Sequence, residues 1–216
     1  MKPSFAFYVD IDNTIAAPRW YDEDLQTCKQ HYVDAGLVTV QEAAAIEYHQ
    51  RLFLLPHVLI THLPLPGSVE TLQRLAQTDH CVTYLTVRNS IQPEQCRQVH
   101  EQTRAWLEQE GFPNPRQVQF FWDFPEKLIA TLEAPTPRIL FIDDRPRHLL
   151  EGYRRLVERD PEGAAQVRKR VILVAFGNQA LDGFPQRPFA PRVVPLAEWA
   201  HFGKLLSQLE GECLIE

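Results

Sequence analysis

The chain alternates between continuous apolar runs and stretches in which apolar residues recur at helical spacing. Apolar runs without polar alternation are typical of strands buried on both faces of a parallel sheet. Strands alternating with helices predict an α/β fold, a doubly wound, mostly parallel and Rossmann-like sheet with helices on both faces. The predicted strands lie near residues 5–10, 81–86, 117–122, 138–142 and 171–176, with a short one at Val193-Val194.

Helix boundaries are marked by residues with well-known positional preferences. Pro93 and Pro146 each precede a helical pattern, and Gly111 ends the first of the two, as the preference for proline at helix starts and glycine at helix ends predicts. Ser68 follows a Pro-Gly pair and is a candidate N-cap. Residues 196–209 predict a final amphipathic helix.

The segment 16–64 interrupts the strand–helix alternation. It contains a helical pattern over 22–36, a capping box at 39–42 that begins a second helix, and an apolar stretch over 54–67 that we expect to be extended. We therefore expect two units, a core of residues 1–15 and 65–216 and a helical insert of residues 16–64.

Two aspartates stand where the first apolar run ends, in the string FAFYVDIDNT. Asp10 and Asp12 are two residues apart, so in an extended chain their side chains project to the same side. Open α/β sheets bind ligands at the carboxyl ends of their strands. Two close carboxylates repel unless a cation neutralises them, and a hard divalent cation with oxygen ligands suits phosphate chemistry.

Three further motifs follow in the chain. CVTYLTVRN ends the second strand with Thr86, and Arg88 lies just beyond it. FPEKLIATLE contains Lys127, and PRILFIDDRP ends another strand with Asp143 and Asp144. Each motif alone is unspecific, but their occurrence in this order is much more informative than any one of them.

With these motifs the chain resembles the haloacid dehalogenase (HAD) superfamily, in particular its phosphatase branch with a small helical cap. The resemblance implies that residues 1–15 and 65–216 form the catalytic core and that the insert of residues 16–64 is the cap. The resemblance covers the core and is carried by DIDNT, LTVR, Lys127 and FIDD. It implies that Asp10 is the nucleophile and Asp12 the general acid/base. An aspartate at the position of Asp12 favours phosphoryl transfer, since dehalogenases of the family usually lack it.

The resemblance also implies roles for the downstream residues. Thr86 and Lys127 match residues that hold phosphoryl oxygens, and we expect Asn13 and Arg88 to join them in binding the substrate phosphate. It implies Mg²⁺ as cofactor. The expected metal ligands are Asp10, Asp12, Asp143 and Asp144, and the sequence leaves open which of the last two contacts the metal directly.

The implied mechanism begins with attack of Asp10 on phosphorus, which gives an aspartyl-phosphate. Asp12 then protonates the departing oxygen and later removes a proton from the hydrolytic water. We therefore expect burial and neighbouring charges to raise the pKa of Asp12. Its removal should slow turnover by roughly 10²- to 10⁴-fold, the usual contribution of a general acid/base.

Two other functions remain compatible with the motifs. A regulatory or binding protein could keep the fold and the metal without turnover, although the intact set of motif residues argues against it. A phosphomutase or phosphotransferase would share every motif. A phosphorylated receiver domain is excluded, because its acidic pair comes first in the chain, whereas Asp143 and Asp144 come last here.

We expect the cap to select the leaving group by closing over the phosphate site. The two tryptophans Trp106 and Trp122 are expected in the core rather than as stacking platforms for a ligand. The cap residues that could determine specificity are Arg19, Trp20, Tyr21, His31, Tyr48, His49, Arg51, His57 and His62.

Composition further restricts the binding partners and the location that we expect for the protein. A net charge of −6 argues against extended nucleic-acid or anionic-membrane binding but allows a small phosphate ester, whether metabolite or nucleotide. The cysteines show no metal-binding or disulfide spacing, and neither a signal peptide nor an apolar membrane span is recognisable, so we expect a cytoplasmic protein. The four cysteines are Cys28, Cys81, Cys96 and Cys213.

Overall fold

The computed structural model of the protein describes residues 5–20, 25–45, 55–78, 80–89, 92–177 and 190–212. Its strands are β1 Phe5–Val9, β2 Ala16–Ala17, β3 Leu63–Pro64, β4 Cys81–Thr86, β5 Val118–Phe120, β6 Arg138–Asp143, β7 Val171–Phe176 and β8 Arg192–Leu196. Its α-helices are α1 Leu25–Asp34, α2 Val40–Ala45, α3 Pro56–Leu59, α4 Ser68–Ala76, α5 Pro93–Gln109, α6 Phe124–Ala130, α7 Pro146–Arg159, α8 Pro161–Arg170 and α9 Phe202–Glu212. None of these helices is long and apolar enough to cross a membrane.

Six strands form one parallel sheet in the order β5-β4-β1-β6-β7-β8. The predicted strands and the α/β fold class are confirmed. Strand β1 lies in the interior of the sheet, between β4 and β6, as expected for an apolar run without polar alternation. The carboxyl ends of these three strands therefore lie side by side.

Side chains of β1 alternate between two apolar clusters, one on each face of the sheet. Phe5, Phe7 and Val9 belong to the cluster that also contains apolar residues of α4, α5 and α9. Ala6 and Tyr8 belong to the cluster on the opposite face, with apolar residues of α6, α7 and α8. All five side chains are buried, so the position of β1 is fixed from both sides.

Two local predictions are wrong. Ser68 is the first residue of α4 rather than its N-cap; Gly67 occupies that position with φ +78°, and the Ser68 hydroxyl donates to the Leu65 carbonyl at 2.6 Å. The stretch expected to be extended includes helix α3, which begins at Pro56. A short apolar run does not distinguish strand from helix by its periodicity, and the proline was the better signal.

The segment predicted as the cap has an apolar cluster of its own. Cys28, Tyr32, Val38, Ala43 and Val58 pack together, separately from the two clusters of the sheet. Strands β2 and β3 pair antiparallel at the two ends of the segment. The capping box is confirmed, since the Thr39 hydroxyl accepts from the Glu42 N–H at 3.1 Å and the Glu42 carboxylate accepts from the Thr39 N–H at 2.7 Å. The exact boundaries of core and cap remain a prediction.

Candidate active site

Strand β1 and its neighbour β6 bring two carboxylates together at the carboxyl edge of the sheet. Asp10 directly follows β1, and its N–H donates to the Ile142 carbonyl of β6 at 2.8 Å. Asp143 ends β6. Lys127 of α6 bridges the two, with its Nζ 2.6 Å from Asp10 Oδ1 and 2.9 Å from Asp143 Oδ2. One buried ammonium group thus links Asp10, which lies 117 positions from Lys127 in the sequence, with Asp143, which lies 16 positions from it.

The pairing determines the charge of these groups. Burial works to lower the pKa of Lys127, but the carboxylates of Asp10 and Asp143 outweigh it, and the pKa is raised. Lys127 is therefore an ammonium group in a fully buried position. Burial, reinforced by the neighbouring carboxylates, raises the pKa of Asp10 well above its ordinary value, although Lys127 opposes this. Buried negative charge is in excess at this edge of the sheet.

Asp10, Asp143 and Asp144 form a group that fits a divalent cation. One carboxylate oxygen from each lies within 4.8 Å of the others. Burial and the neighbouring Asp143 raise the pKa of Asp144 to about 7, which indicates negative charge that the protein itself does not fully neutralise. Oxygen ligands of this kind suit Mg²⁺. Three of the four predicted metal ligands are therefore adjacent.

The fourth predicted metal ligand, Asp12, forms an ion pair with the guanidinium group of Arg88. Arg88 donates to both of its carboxylate oxygens, from Nε to Oδ2 at 2.9 Å and from Nη2 to Oδ1 at 2.7 Å. Burial works to raise the pKa of Asp12, but the charge and hydrogen bonds of Arg88 outweigh it, so the pKa is lowered. The expectation that the pKa of Asp12 is raised is therefore wrong for this structure.

Arg88 is itself held firmly. Its side chain is buried, its Nη1 donates to the Thr103 hydroxyl of α5 at 3.2 Å, and Nη2 lies 3.4 Å from His62 Nδ1. His62 is buried just before β3, and its carbonyl accepts from Trp106 Nε1 at 2.9 Å. Burial and the cationic Arg88 lower the pKa of His62 to about 3, so this imidazole is neutral. Arg88 was expected to bind the substrate phosphate; in the structure its guanidinium faces Asp12.

The remaining predicted phosphate ligands lie at the same edge of the sheet. Thr86 is buried at the end of β4, and its hydroxyl accepts from the Arg88 N–H at 3.2 Å. Asn13 has φ +59°, a conformation that asparagine tolerates better than most residues, and its side chain hydrogen-bonds Asp144. The chain thus turns sharply just after Asp12.

Two residues outside the sequence prediction hold this turn in place. The buried Thr14 hydroxyl accepts from the Asp144 N–H at 3.1 Å, and the Thr14 carbonyl accepts from Trp199 Nε1 at 2.7 Å. Thr14 belongs to the DIDNT string, which was the available signal for it. Thr103 and Trp199 had no such signal, because their roles depend on tertiary contacts.

The predicted specificity residues have varied environments. Trp20 packs against Tyr32 and His31 in the cap, with ring centroids 4.6 and 5.4 Å apart. Arg19 is exposed, and His57 lines a surface groove between α3 and α5. The other four candidates, like Cys213, lie outside the described residues: Tyr21, Tyr48, His49 and Arg51.

The two tryptophans expected in the core differ in their exposure to solvent. Trp106 is fully buried, as predicted, but Trp122 has 63% of its surface exposed, so this expectation is wrong. Trp122 follows β5 near the edge of the sheet where the site lies. Among the described cysteines, Cys81 and Cys96 carry free thiols.

Comparison with known proteins supports the resemblance seen in the motifs. A haloacid dehalogenase-like hydrolase from Burkholderia xenovorans, described as putative, has a TM-score of 0.54 at 15% identity, covering 95% of this chain and 98% of that one. A haloacid dehalogenase-like family hydrolase from Xanthomonas campestris has a TM-score of 0.53 at 13% identity, with complete coverage of both chains. A Bacillus cereus protein named "Putative nucleotidase" is 28% identical over 153 residues, 65% of this chain and 76% of the relative. No protein-family model matches the chain.

Proposed function

We propose that this chain, which has the fold of the haloacid dehalogenase-like hydrolases, is a Mg²⁺-dependent phosphate monoester hydrolase that acts through an aspartyl-phosphate on Asp10. The observation that carries the proposal is the cluster of Asp10, Asp143 and Asp144, in which the buried Lys127 pairs with Asp10 and Asp143. Attack on an anionic phosphate ester requires three components: a nucleophilic carboxylate, a group that binds a cation, and an ammonium group in a fixed position.

Charge compensation is the first requirement of the reaction. A phosphate monoester is anionic, and the carboxylate of Asp10 would repel it. Lys127, placed 2.6 Å from Asp10, attracts the phosphoryl oxygens and opposes the rise in the pKa of the nucleophile that burial causes. Thr86, at the adjacent strand end, provides a hydroxyl donor. Mg²⁺, held by Asp10, Asp143 and Asp144, would stabilise the negative charge that develops on the phosphoryl group.

The chemistry then follows in two displacements. A carboxylate oxygen of Asp10 bonds to phosphorus as the bond to the ester oxygen breaks, and that oxygen takes a proton from Asp12. In the second step water attacks the phosphorus, gives a proton to Asp12, and releases inorganic phosphate and free Asp10. Asp12 must be protonated for the first step, and the negative charge of a phosphate bound beside it favours the protonated form, which can still accept a hydrogen bond from Arg88.

A nucleotide is the substrate class that the comparisons favour within phosphate monoesters. The Bacillus cereus relative is named as a nucleotidase, and its similarity covers most of both chains. The net charge of −6 is compatible with this class, because a single cationic site holds the phosphate.

The test is hydrolysis of p-nitrophenyl phosphate by the wild type, Asp10→Asn and the exposed-surface control Glu158→Gln, each with Mg²⁺ and with chelator. We expect turnover in the wild type and the control only with Mg²⁺, and none in Asp10→Asn. Turnover that persists in Asp10→Asn would contradict the proposal. Should the wild type be inactive with this ester, a panel of natural phosphate esters follows, and inactivity across the panel with Mg²⁺ bound would favour a regulatory protein.

A further inference from the structure

Trp122 is unusual among the large apolar residues of the described chain. It is 63% exposed, whereas Trp106 and Trp199 are buried, and it is the only aromatic residue among the exposed large hydrophobics that the structure describes. Exposing a tryptophan forfeits the burial of a large apolar surface. An exposed tryptophan therefore suggests a surface that becomes covered when something binds.

The position of Trp122 is close to the phosphate site. Strand β5 pairs with β4 so that Phe120 is the register partner of Thr86, and Trp122 lies two residues beyond Phe120. Helix α6, which carries Lys127, begins just after Trp122. Strand β4 alone separates β5 from β1, so the strand that leads to Trp122 lies about 10 Å to the side of the strand that leads to Asp10, two strand spacings of about 4.8 Å.

The backbone around Trp122 is fixed by its neighbours. Its N–H donates to Glu126 Oε2 at 3.1 Å, and Asp123, the N-cap of α6, accepts from the Glu126 N–H at 3.1 Å. This reciprocal arrangement holds the loop at the helix start. An aromatic side chain on a fixed backbone loses little conformational freedom on binding, which favours its use as a contact surface.

The surroundings also indicate what would cover Trp122. Val87, which follows the end of β4 at Thr86, is 38% exposed and adds a second apolar side chain beyond the strand that separates β5 from β1. The carboxylates of Asp123 and Glu126 beside Trp122 disfavour an anionic group there. A leaving group that reaches Trp122 from a phosphate at Asp10 must therefore be extended and carry no negative charge at its far end.

We propose that Trp122 is a stacking platform for the planar aromatic part of the leaving group, such as the base of a nucleoside monophosphate, and so determines the substrate specificity of the site. The inference rests on the proposed hydrolase function. A planar base or phenyl ring matches the aromatic face of Trp122, whereas a short polyol such as glycerol offers no ring to stack.

The first measurement is binding to the Asp10→Asn protein, which does not require turnover. Adenosine 5′-monophosphate should change the tryptophan fluorescence of Asp10→Asn but not of Asp10→Asn/Trp122→Phe, since the response comes from Trp122. Glycerol 3-phosphate should change neither. A response that survives in the Trp122→Phe protein, or no response to the nucleotide, would overturn the proposal.

The second measurement compares esters in the otherwise wild-type protein. Trp122→Ala should raise the KM for adenosine 5′-monophosphate and phenyl phosphate relative to glycerol 3-phosphate by about tenfold, the loss expected from one base–aromatic stack. Trp122→Phe keeps a ring and should retain most of the preference. The control Val157→Ala, an exposed apolar residue on α7, should leave the ratio unchanged.

The two proposals fail in different ways. If the wild type hydrolyses all three esters and Trp122→Ala leaves their KM ratio unchanged, the platform is refuted and the hydrolase stands; a protein partner would then be the better explanation for the exposed ring. If no ester is hydrolysed but the nucleotide still alters the Trp122 fluorescence, the platform stands and the hydrolase is refuted.

Discussion

Arg88 donates hydrogen bonds to both carboxylate oxygens of Asp12, although the two residues lie 76 positions apart in the chain. The guanidinium is buried while the Asp12 side chain is 38% exposed, so the pair lies at the boundary between protein and solvent. A bidentate pair fixes the direction of a carboxylate as well as its charge. Arg88 therefore positions the proposed general acid/base and does not itself need to contact the phosphate.

Replacing Arg88 should reduce kcat through its effect on Asp12. We expect Arg88→Gln to lower kcat by about 10- to 100-fold, less than loss of the general acid/base itself, which costs roughly 10²- to 10⁴-fold. Arg88→Lys should be intermediate, because it keeps the charge without the fork geometry. The measurement is a double-mutant cycle with Asp12→Asn, in which Arg88→Gln should have little further effect. Additive losses would contradict a role exerted through Asp12.

Replacing Lys127 should destabilise the fold in a pH-dependent way. Lys127→Met leaves Asp10 and Asp143 without their buried cation, which costs about 3–5 kcal/mol in the free energy of unfolding when one partner of a buried pair is removed. Lys127 works to lower the pKa of Asp10, so the variant should take up protons more readily and lose less stability at pH 5.5 than at pH 7.5. Urea unfolding in chelator measures both values.

The exposed Lys169 on α8 is the matched control for that substitution. Lys169→Met should change the free energy of unfolding by less than about 0.5 kcal/mol at either pH. An equal loss of stability in Lys127→Met at the two pH values would show that the cost arises from packing rather than from unpaired carboxylates.

Mg²⁺ binding should strengthen as the pH rises through neutrality. Burial, with the charge of Asp143, raises the pKa of Asp144 to about 7 in the metal-free protein, so the cation must displace a proton below that pH. Because the folded state holds this proton more tightly than the unfolded chain, Asp144 lowers the stability of the metal-free protein as the pH rises from about 4 to above 7. Bound Mg²⁺ should offset that loss.

Thermal unfolding with Mg²⁺ and with chelator tests this dependence. The increase in Tm on adding Mg²⁺ should be larger at pH 8 than at pH 5.5. Asp144→Asn should reduce the increase and flatten its pH dependence. An increase that does not vary between the two pH values would exclude Asp144 as the group that titrates.

Gly152 should be intolerant of a side chain, with consequences for Lys127. A Cβ at this position of α7 would lie 3.0 Å from the backbone nitrogen of Pro125 and 3.2 Å from the carbonyl carbon of Phe124, both in α6. We expect Gly152→Ala to cost about 1–3 kcal/mol by overpacking and to lower kcat, because α6 must move and it carries Lys127. Gly203→Ala on α9, where an added Cβ meets nothing within 4 Å, should be neutral or slightly stabilising.

Much of the site could be predicted from sequence because parallel strands align their carboxyl ends. Asp10 and Asp143 each end a run of apolar residues, and such runs predict adjacent buried strands whose ends meet. That alignment accounts for the acidic group without any knowledge of side-chain contacts. The strands, the fold class and the helices that begin at Pro93 and Pro146 were predictable for the same local reasons.

The partner of Asp12 was not predictable in this way. Local pattern places Arg88 beyond a strand end but does not tell whether its guanidinium meets a carboxylate or a substrate. The exposure of Trp122 was missed because apolarity predicts only that a side chain is covered, whether by the protein core or by a ligand. Ser68 was misassigned because Gly67, with its positive φ, could take the cap position instead.

The hydrogen bond from Trp199 to the Thr14 carbonyl has a consequence for biosynthesis. The turn that follows the proposed nucleophile is secured by a residue 185 positions later, and β1 is flanked by strands that begin at Cys81 and Arg138. A ribosome-bound chain therefore carries both aspartates of its first motif long before their surroundings exist. Such distant pairings favour slow folding that is completed late, so we expect the site to form only after synthesis has passed Trp199.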